Sequence, residues 1–419
     1  MNLDVVSVDR GWVDIPFRET PARHMVRELP HWTLFEICTV ELACGVRGFG
    51  ETMCYYTWGV VTEDAVARVI GRNAAECMWD DSLGAGLQMA LFDAVGRALD
   101  TPCWALLGHK YRDRAFLSWW DIDMPGEDWL SECRLAIDRG YTSFKTKARP
   151  WFDIFEQSRT LSDGLPPWFD IDLDFNGMLV DSARAVPIVH RLEPFESVAI
   201  LETPIPQTDV VGTKRVREAT RIPIALHYGT PSPQVALTQD ICDGFVVGGG
   251  ASAVTRSAAT LAAHEKIFWL QLVGTDITAT WSLHLAAVLS NARWPAVNCH
   301  QLYAASLTRE GITVSGGTAP VPDAPGLGVD LNQEAVAHYG IDAKEQPYPA
   351  PDLLIAIRWP WGRSSYYTHA RQYWDEFLGG RLPVFPEGVC LERVPNDGSR
   401  EWAALRDRAA EKPVHDSAS

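Results

Sequence analysis

The sequence predicts an α/β protein in which a small α+β unit precedes a (β/α) barrel, and three observations carry that expectation. Over residues 1 to about 115, strand-like stretches such as "WTLFEICTVEL" and "GFGETMCYYTW" are interleaved with helix-like ones. From about residue 116 the chain repeats a short apolar strand, a polar tip and a helix-compatible stretch, and the tips Lys147, Asp174, Glu202 and His227 lie 27, 28 and 25 residues apart. That step is the length of one strand–helix unit, and more than five such units in series favour parallel strands closed into a barrel. The rival, an open doubly wound sheet, lacks its signature: neither GxGxxG nor GxxxxGKS/T follows a first strand.

In chain order, "TEDAVARVIGR" offers a threonine N-cap with acids in the first turn, which favours a helix start. "GAGLQMALFDAVGRAL" repeats apolar residues at helical spacing until "DTPCWALLG" breaks it with a proline. The strand tips follow: "YTSFKTK" ends at Lys147, "FDIDLDFNG" passes Asp174 and Asn176, and "VAILETPIP" passes Glu202. "IPIALHYG" reaches His227, "CDGFVVGGG" ends in glycines 248–250, and "IFWLQLVGTD" ends at Asp276. Between them, "DSARAVPIVHRLE", "TKRVREAT" and "ASAVTRSAATLAAHE" are helix-compatible. In a barrel every such tip faces one mouth, so residues a hundred positions apart converge.

Bulk properties narrow the function. The chain has 419 residues, 47% hydrophobic and 22% charged, with a net charge of −17 spread along its length. That argues against nucleic acid or an anionic membrane as partner. No apolar run reaches spanning length and the N-terminus lacks a secretory core, so a cytoplasmic protein is expected. Nine cysteines without CxxC spacing read as free thiols in a reducing compartment. Seventeen tryptophans, among them Trp58, Trp119, Trp120 and Trp168, fit a packed core, an aromatic-lined pocket or a subunit interface.

As chemistry, Asp174 and Glu202 on neighbouring strands suit a hard divalent cation, or else cap helices and pair with arginines. Lys145 and Lys147 share a strand face, because side chains alternate with period two. Beside a cation, one lysine would lose basicity and serve as a base while the other holds a substrate carboxylate.

These motifs resemble the mandelate racemase/muconate lactonizing enzyme branch of the enolase superfamily, of which the chain looks like a divergent member. The resemblance rests on "SLGAGLQMALFDAVGRALDTPCWALLGHKYRDR" (82–114), "FKTK" (144–147), "DFNG" (174–177), "LETPIP" (201–206) and "PGLGVDL" (325–331), in family order over nearly the whole chain. It implies a modified (β/α)8, TIM-like barrel over residues 116–332 and an N-terminal α+β capping domain over 1–115. The segment 333–419 would return to complete the capping domain. Members abstract a proton α to a carboxylate, stabilise the enediolate on Mg²⁺, and then racemise, cycloisomerise or eliminate water. Carried over, Lys147 matches the general base, Lys145 its partner near the substrate carboxylate, and Asp174 and Glu202 the first two metal ligands.

The chain departs from the pattern at the later tips. His227, followed by Tyr228, stands where the third carboxylate ligand belongs, and Gly248 aligns with an Asp of the sixth strand. The seventh strand offers Thr275 and Asp276 for a His, and the eighth offers Cys299 and His300 for a Glu. His227 is therefore a third metal ligand, an acid or base opposite Lys147, or part of a site that binds without turnover. An imidazole in the cage suits Mn²⁺, Fe²⁺ or Zn²⁺ better than Mg²⁺, the family's usual metal. The segments 15–32 and 48–59 occupy the places of the specificity loops, so Arg18, Arg23, His24, Tyr55, Tyr56 and Trp58, with Asn176 and Tyr228, are candidate substrate contacts. The expected activity is a metal-dependent sugar-acid dehydratase in which Lys147 takes the α-proton and His227 or Asp276 protonates the leaving hydroxyl. An epimerase or cycloisomerase and a non-catalytic sugar-acid binder are the alternatives. The expected partners are a small carboxylate substrate and further copies of the chain in a homo-oligomer.

Overall fold

In the computed structural model, residues 1–56, 59–342 and 352–416 are described. The N-terminal unit is an antiparallel sheet of β1 (Val5–Asp14), β2 (Leu34–Leu42) and β3 (Arg47–Met53), with α1 (Glu19–Glu28) between the first two strands. Two short helices, α2 (Glu63–Val69) and α3 (Ala74–Cys77), lead to α4 (Ala85–Ala98), which packs on β3. Thr62 caps α2 as the sequence predicts, accepting from the Ala65 N–H. Glycine is required where β3 meets α4: a Cβ on Gly48 would lie 2.5 Å from the Ala90 carbonyl oxygen, and one on Gly50 2.3 Å from that of Gly86. A short α5 (Cys103–Leu107) follows the Pro102 break.

The barrel runs β4 (Arg114–Trp120), α6 (Gly126–Asp138), β5 (Ser143–Lys147), α7 (Ile154–Gly164), β6 (Asp170–Asp174), α8 (Ser182–Leu192), β7 (Val198–Glu202), α9 (Val210–Ala219), β8 (Ile224–His227), α10 (Pro233–Gln239), β9 (Gly244–Val247), α11 (Ala251–Ala263), β10 (Ile267–Leu270), α12 (Asp276–Val288) and β11 (Ala296–Val297). Neighbouring strands pair in parallel from β10 round to β4 and on to β11. A parallel bridge between Gln271 and Val297 brings the two ends together, giving a nearly closed eight-stranded TIM-like barrel. Local chemistry starts the helices: Asp153, Asp181, Asp209, Ser232 and Thr275 each accept a hydrogen bond from a first-turn N–H. β12 (Thr318–Pro320) adds antiparallel to the outer end of β4.

Among the described residues after α13 (Gln333–His338), only β13 (Gly340–Ile341) joins the N-terminal sheet, alongside β1. The described remainder meets the cap through side chains, Tyr373 bonding to Arg27 and Glu28 of α1, while its strands pair apart from the first sheet. β14 (Ile355–Arg358), β15 (Ser364–Tyr367), β16 (Cys390–Arg393) and β17 (Val414–His415) form a separate four-stranded sheet with α14 (Ala370–Leu378) and α15 (Arg400–Glu411). Pairing among themselves satisfies these strands without an edge of the first sheet. We propose unit boundaries near 115 and 332, since β4 begins at Arg114 and the last barrel-attached strand ends at Pro320.

A buried arginine joins all three parts. Arg27 of α1 donates to Asp123 after β4, to Glu28 and to the Tyr373 hydroxyl on α14, at 2.7–3.0 Å. Trp151 after β5 donates to Asp123 at 2.7 Å and packs against both Tyr373 and Trp374. The nine cysteines are free, with Cys44 and Cys390 exposed, and no described helix is long and apolar enough to cross a membrane. Removing one member of a buried ionic set strands the others. Arg27→Met is therefore expected to lower the unfolding free energy by about 3 kcal/mol in urea titrations. Arg23→Met, at a half-exposed pair with Asp128, should cost less than about 1 kcal/mol.

Candidate active site

The barrel mouth gathers charges by strand alternation. Lys145 and Lys147 project inward from β5, and Lys147, Asp174 and Glu202 are register partners across β5, β6 and β7. Lys145 is fully buried, its Nζ 2.6 Å from Glu202 Oε2 and 3.7 Å from Asp174 Oδ2. Gln271 Oε1 accepts from the same ammonium at 2.7 Å. Lys147 Nζ lies 2.5 Å from Asp174 Oδ2 and donates to Asn176 Oδ1 at 3.1 Å. His227 Nε2 is 2.8 Å from Glu202 Oε1.

Burial and charge act in opposite directions here. Burial alone would lower Lys145, yet Glu202 and Asp174 outweigh it and raise its pKa to about 12, so it stays a fixed cation. Lys147 moves the other way: burial, then Lys145 and Arg149, depress it against the pull of Asp174. Burial would raise Asp174, but Lys147, Lys145 and Arg149 hold it well below the ordinary carboxylate range. One layer beneath, burial pushes the Asp172 carboxyl up to about 8.

Beside the lysines is a cavity of about 200 Å³. Its floor carries Lys147, Arg149, Gln271 and Cys299; its upper wall carries Glu28, Trp32 and Tyr56 from the N-terminal unit and Trp374 from α14. Trp32 stacks on Trp120 with centroids 5.6 Å apart and meets Tyr56 edge-on at 5.4 Å. Arg149 is buried; it donates to Asn176 Oδ1 at 2.7 Å and leaves its Nε without a partner. Arg149 continues the alternation of 145 and 147 by one step, and Gln271 is the lone amide in "IFWLQLV"; those were the signals in the sequence. Trp374 and Glu28 gave none, since distant elements bring them in.

The other anticipated residues go elsewhere. Asp276 is the first residue of α12, not a strand tip, because β10 ends at Leu270. Its carboxylate accepts from Ser306 Oγ, the Leu307 and Thr308 N–H groups and the Thr308 hydroxyl, and so clamps a loop. Thr275 caps α12 and donates to Glu51 of β3. Tyr228 alternates to the outer face and meets Phe245 edge-on. Arg18 pairs with Glu132 over Trp119, and His24 and Arg23 pair with Asp128, all away from the mouth. Tyr55 packs on His31, while its neighbour Tyr56 takes the cavity position. His300 is tied to the Tyr141 hydroxyl at 2.9 Å. Gly248 leaves room for the chain: a Cβ there would approach the Gln271 carbonyl oxygen to 2.8 Å. Trp58 lies outside the described residues.

A divalent cation can be tested against this donor set. Both Glu202 oxygens are buried without a partner in hydrogen-bond geometry, although Lys145 and His227 are at ion-pair distance, and Asp174 is ionised. Two such carboxylates suit a hard cation that keeps waters or takes substrate oxygens in its other positions. Among the described residues no group of three His, Cys, Asp or Glu is arranged to hold a metal, and His227 stands against Glu202 at ion-pair distance.

These features define a parallel α/β barrel at whose mouth paired carboxylates and lysines meet beneath an aromatic roof. A family model described as enolase C-terminal domain-like matches residues 128–336. A D-galactonate dehydratase of Variovorax paradoxus is 23% identical over 360 residues, covering 75% of this chain and 92% of the relative. Muconate cycloisomerase 1 of Rhodococcus opacus is 23% identical over 374 residues, 80% of this chain and 98% of the relative. The crystal structure of muconate cycloisomerase from Pseudomonas fluorescens superposes with a TM-score of 0.66 at 20% identity, over 82% of this chain and all of that one. The chain belongs to the enolase superfamily, in its mandelate racemase/muconate lactonizing enzyme branch. Members of that superfamily generally use a divalent metal, typically Mg²⁺.

The contact between cap and barrel carries its own titration. Glu51 is fully buried, accepts from Thr275 and Thr278, and is raised by burial to about 7. A carboxyl that holds its proton more tightly when folded stabilises the fold at low pH and loses that contribution as pH rises through the folded value. Between pH 4.5 and 7 the wild type should therefore lose stability relative to Glu51→Gln by up to about 1.4 kcal/mol per pH unit, read as a narrowing gap in Tm.

Proposed function

We propose that this chain abstracts a proton from the carbon α to a carboxylate and completes the reaction by eliminating water, as a dehydratase. The observation that carries the reading is Lys147: it reaches the cavity, and burial together with Lys145 and Arg149 lowers its hold on a proton. Lys145, held protonated on Glu202, Asp174 and Gln271, supplies a fixed positive charge beneath the reacting carboxylate. Asp174 and Glu202 would hold a divalent cation, Mg²⁺ being the hard ion that two carboxylates suit. When bound, such a cation supplies Lewis-acid stabilisation of the charge that develops on the substrate carboxylate. His227, half-exposed and seated on Glu202, positions that carboxylate.

Asp276 is committed to its loop, so the proton for the leaving hydroxyl needs another source. Glu28 is the acid on the upper wall; burial and then Asp123 push its carboxyl up, with Arg27 and Arg149 opposing. The dehydratase relative supports elimination, and by its name sugar acids are one substrate class to consider. The muconate cycloisomerase relative supports isomerisation as the second reading. In that case the Lys147 step is the same and the proton returns to carbon.

In D₂O with Mg²⁺, NMR of a bound carboxylate should show loss of its α-proton signal. Lys147→Ala should slow that loss by at least about 10²-fold, and Asp174→Asn comparably, with unchanged circular dichroism. Exchange in Lys147→Ala at the wild-type rate would sink the reading. Exchange with no elimination product would select the isomerase.

A further inference from the structure

Two donors on the cavity wall are left without an acceptor. Gln271 follows the end of β10, and the strand order from β5 through β4 and β11 to β10 sets it across the mouth from Lys147. Its backbone is pinned from both sides: the N–H donates to the Val247 carbonyl at 2.8 Å, and the residue bridges Val297 of β11. The amide has one orientation open to it. The Lys145 ammonium can only donate, so Oε1 is the atom 2.7 Å from its Nζ, and the NH₂ group is turned away. One of the two N–H bonds reaches the Tyr56 hydroxyl oxygen at 3.3 Å, and the other has no acceptor among the described residues. Tyr56 is held through its oxygen, so its own O–H is likewise unspent. Both side chains line the cavity and both are partly exposed, so a ligand can meet them.

We infer that the Gln271 amide N–H and the Tyr56 hydroxyl form an oxyanion cradle, donating to the carboxylate of the ligand and more strongly to the enediolate it becomes. The inference deepens the proposed function and rests on its placement of the reacting carbon at Lys147. As Lys147 takes the α-proton, the C–H electron pair becomes a C=C bond and negative charge moves onto the carboxylate oxygens. Donors already aimed at those oxygens gain strength as the charge grows and need no reorganisation to do so. Gln271 also positions the pair, because the amide that holds Tyr56 is itself anchored on Lys145. A histidine in its place would titrate and could bring a second charge; the amide stays a neutral donor at every working pH. One donor belongs to the barrel and the other to the N-terminal unit, so the cradle is complete only where the two meet.

Calorimetric titration of the full chain at alkaline pH, with Mg²⁺ present, tests it by comparing propionate with ethyl nitronate. The nitronate is planar and isoelectronic with the enediolate of propionate, so the wild type should bind it at least about tenfold more tightly than the carboxylate. Tyr56→Phe should remove most of that preference while leaving propionate binding within about twofold. Gln271→Glu keeps an oxygen for Lys145 but offers no N–H to a ligand, so it should lose the preference too; a residue that only held Lys145 in place would not. In D₂O, α-proton exchange on gluconate or galactonate should fall at least about tenfold in both variants, in kcat more than in KM, while the melting temperature checks folding. No binding of the nitronate, no preference for it in the wild type, or a preference intact in either variant would overturn the inference. Its fate is separable from that of the proposed function. A nitronate preference lost in Tyr56→Phe, with no exchange on either acid by the wild type, removes the chemistry at Lys147 and leaves the cradle standing. Exchange that Tyr56→Phe leaves at the wild-type rate does the reverse.

Discussion

Everything at the mouth depends on keeping a buried ammonium ionised. Lys145 has no contact with water, and desolvation alone would neutralise it. Two carboxylates on adjacent strands prevent that, and they can do so because barrel register places Asp174 beside Glu202 and both within reach of β5. The same electrostatics then sets Lys147 apart from its neighbour. Lys145 has claimed Glu202, so Lys147 has Asp174 for its acidic partner and faces two cations, Lys145 and Arg149. Its basicity falls where that of Lys145 rises. Two lysines separated by one residue acquire opposite tasks from their surroundings.

Such a cluster functions only under a dry roof, and the roof is assembled from three parts of the chain. Arg27 is the joint: it is the cation shared by Asp123 of the barrel and Glu28 of the cap, and Tyr373 of the C-terminal unit closes its shell. Two residues bonded into or adjacent to that joint, Glu28 and Trp374, face the cavity. Stability and cavity shape are thus coupled, because whatever loosens the joint also moves that wall of the cavity.

The fold and the left half of the site were legible in the sequence; the right half was not. Strand–helix spacing and period-two alternation place Lys145, Lys147, Asp174 and Glu202 at one mouth, and those rules are local. Alternation also tells why Tyr228 turns away once His227 is known to face in. The misreading at the seventh strand had a physical origin. β10 stops at Leu270, and the three residues after Gln271 that look like its continuation form the loop leading to Thr275, the cap of α12. A threonine–aspartate pair reads equally as a strand tip or a helix start, and the bond that Thr275 Oγ1 accepts from the Ile277 N–H decides it. Trp374 could not be read at all, because no local pattern reports that a helix after residue 370 will be carried to Arg149.

The tips that leave the family pattern are best understood together. Gly248 has no side chain, and the space where one would stand is occupied by the Gln271 backbone. Gln271 in turn uses its amide oxygen to hold Lys145 and its amide nitrogen to reach Tyr56. A carboxylate at 248 and a histidine at the seventh tip would have added two titrating groups to this wall. In their place stand a glycine and a neutral amide that bonds to the fixed cation and titrates nowhere in the working range of a protein. Among the described residues that line the cavity on the barrel side, Lys147 at the β5 corner is the base whose hold on a proton its surroundings lower. Glu28 is the carboxyl on the cap side of the cavity. The loss of the later tips does not leave a weakened copy of a two-sided site; it leaves a one-sided floor whose opposite face is supplied by Glu28 and the aromatic roof.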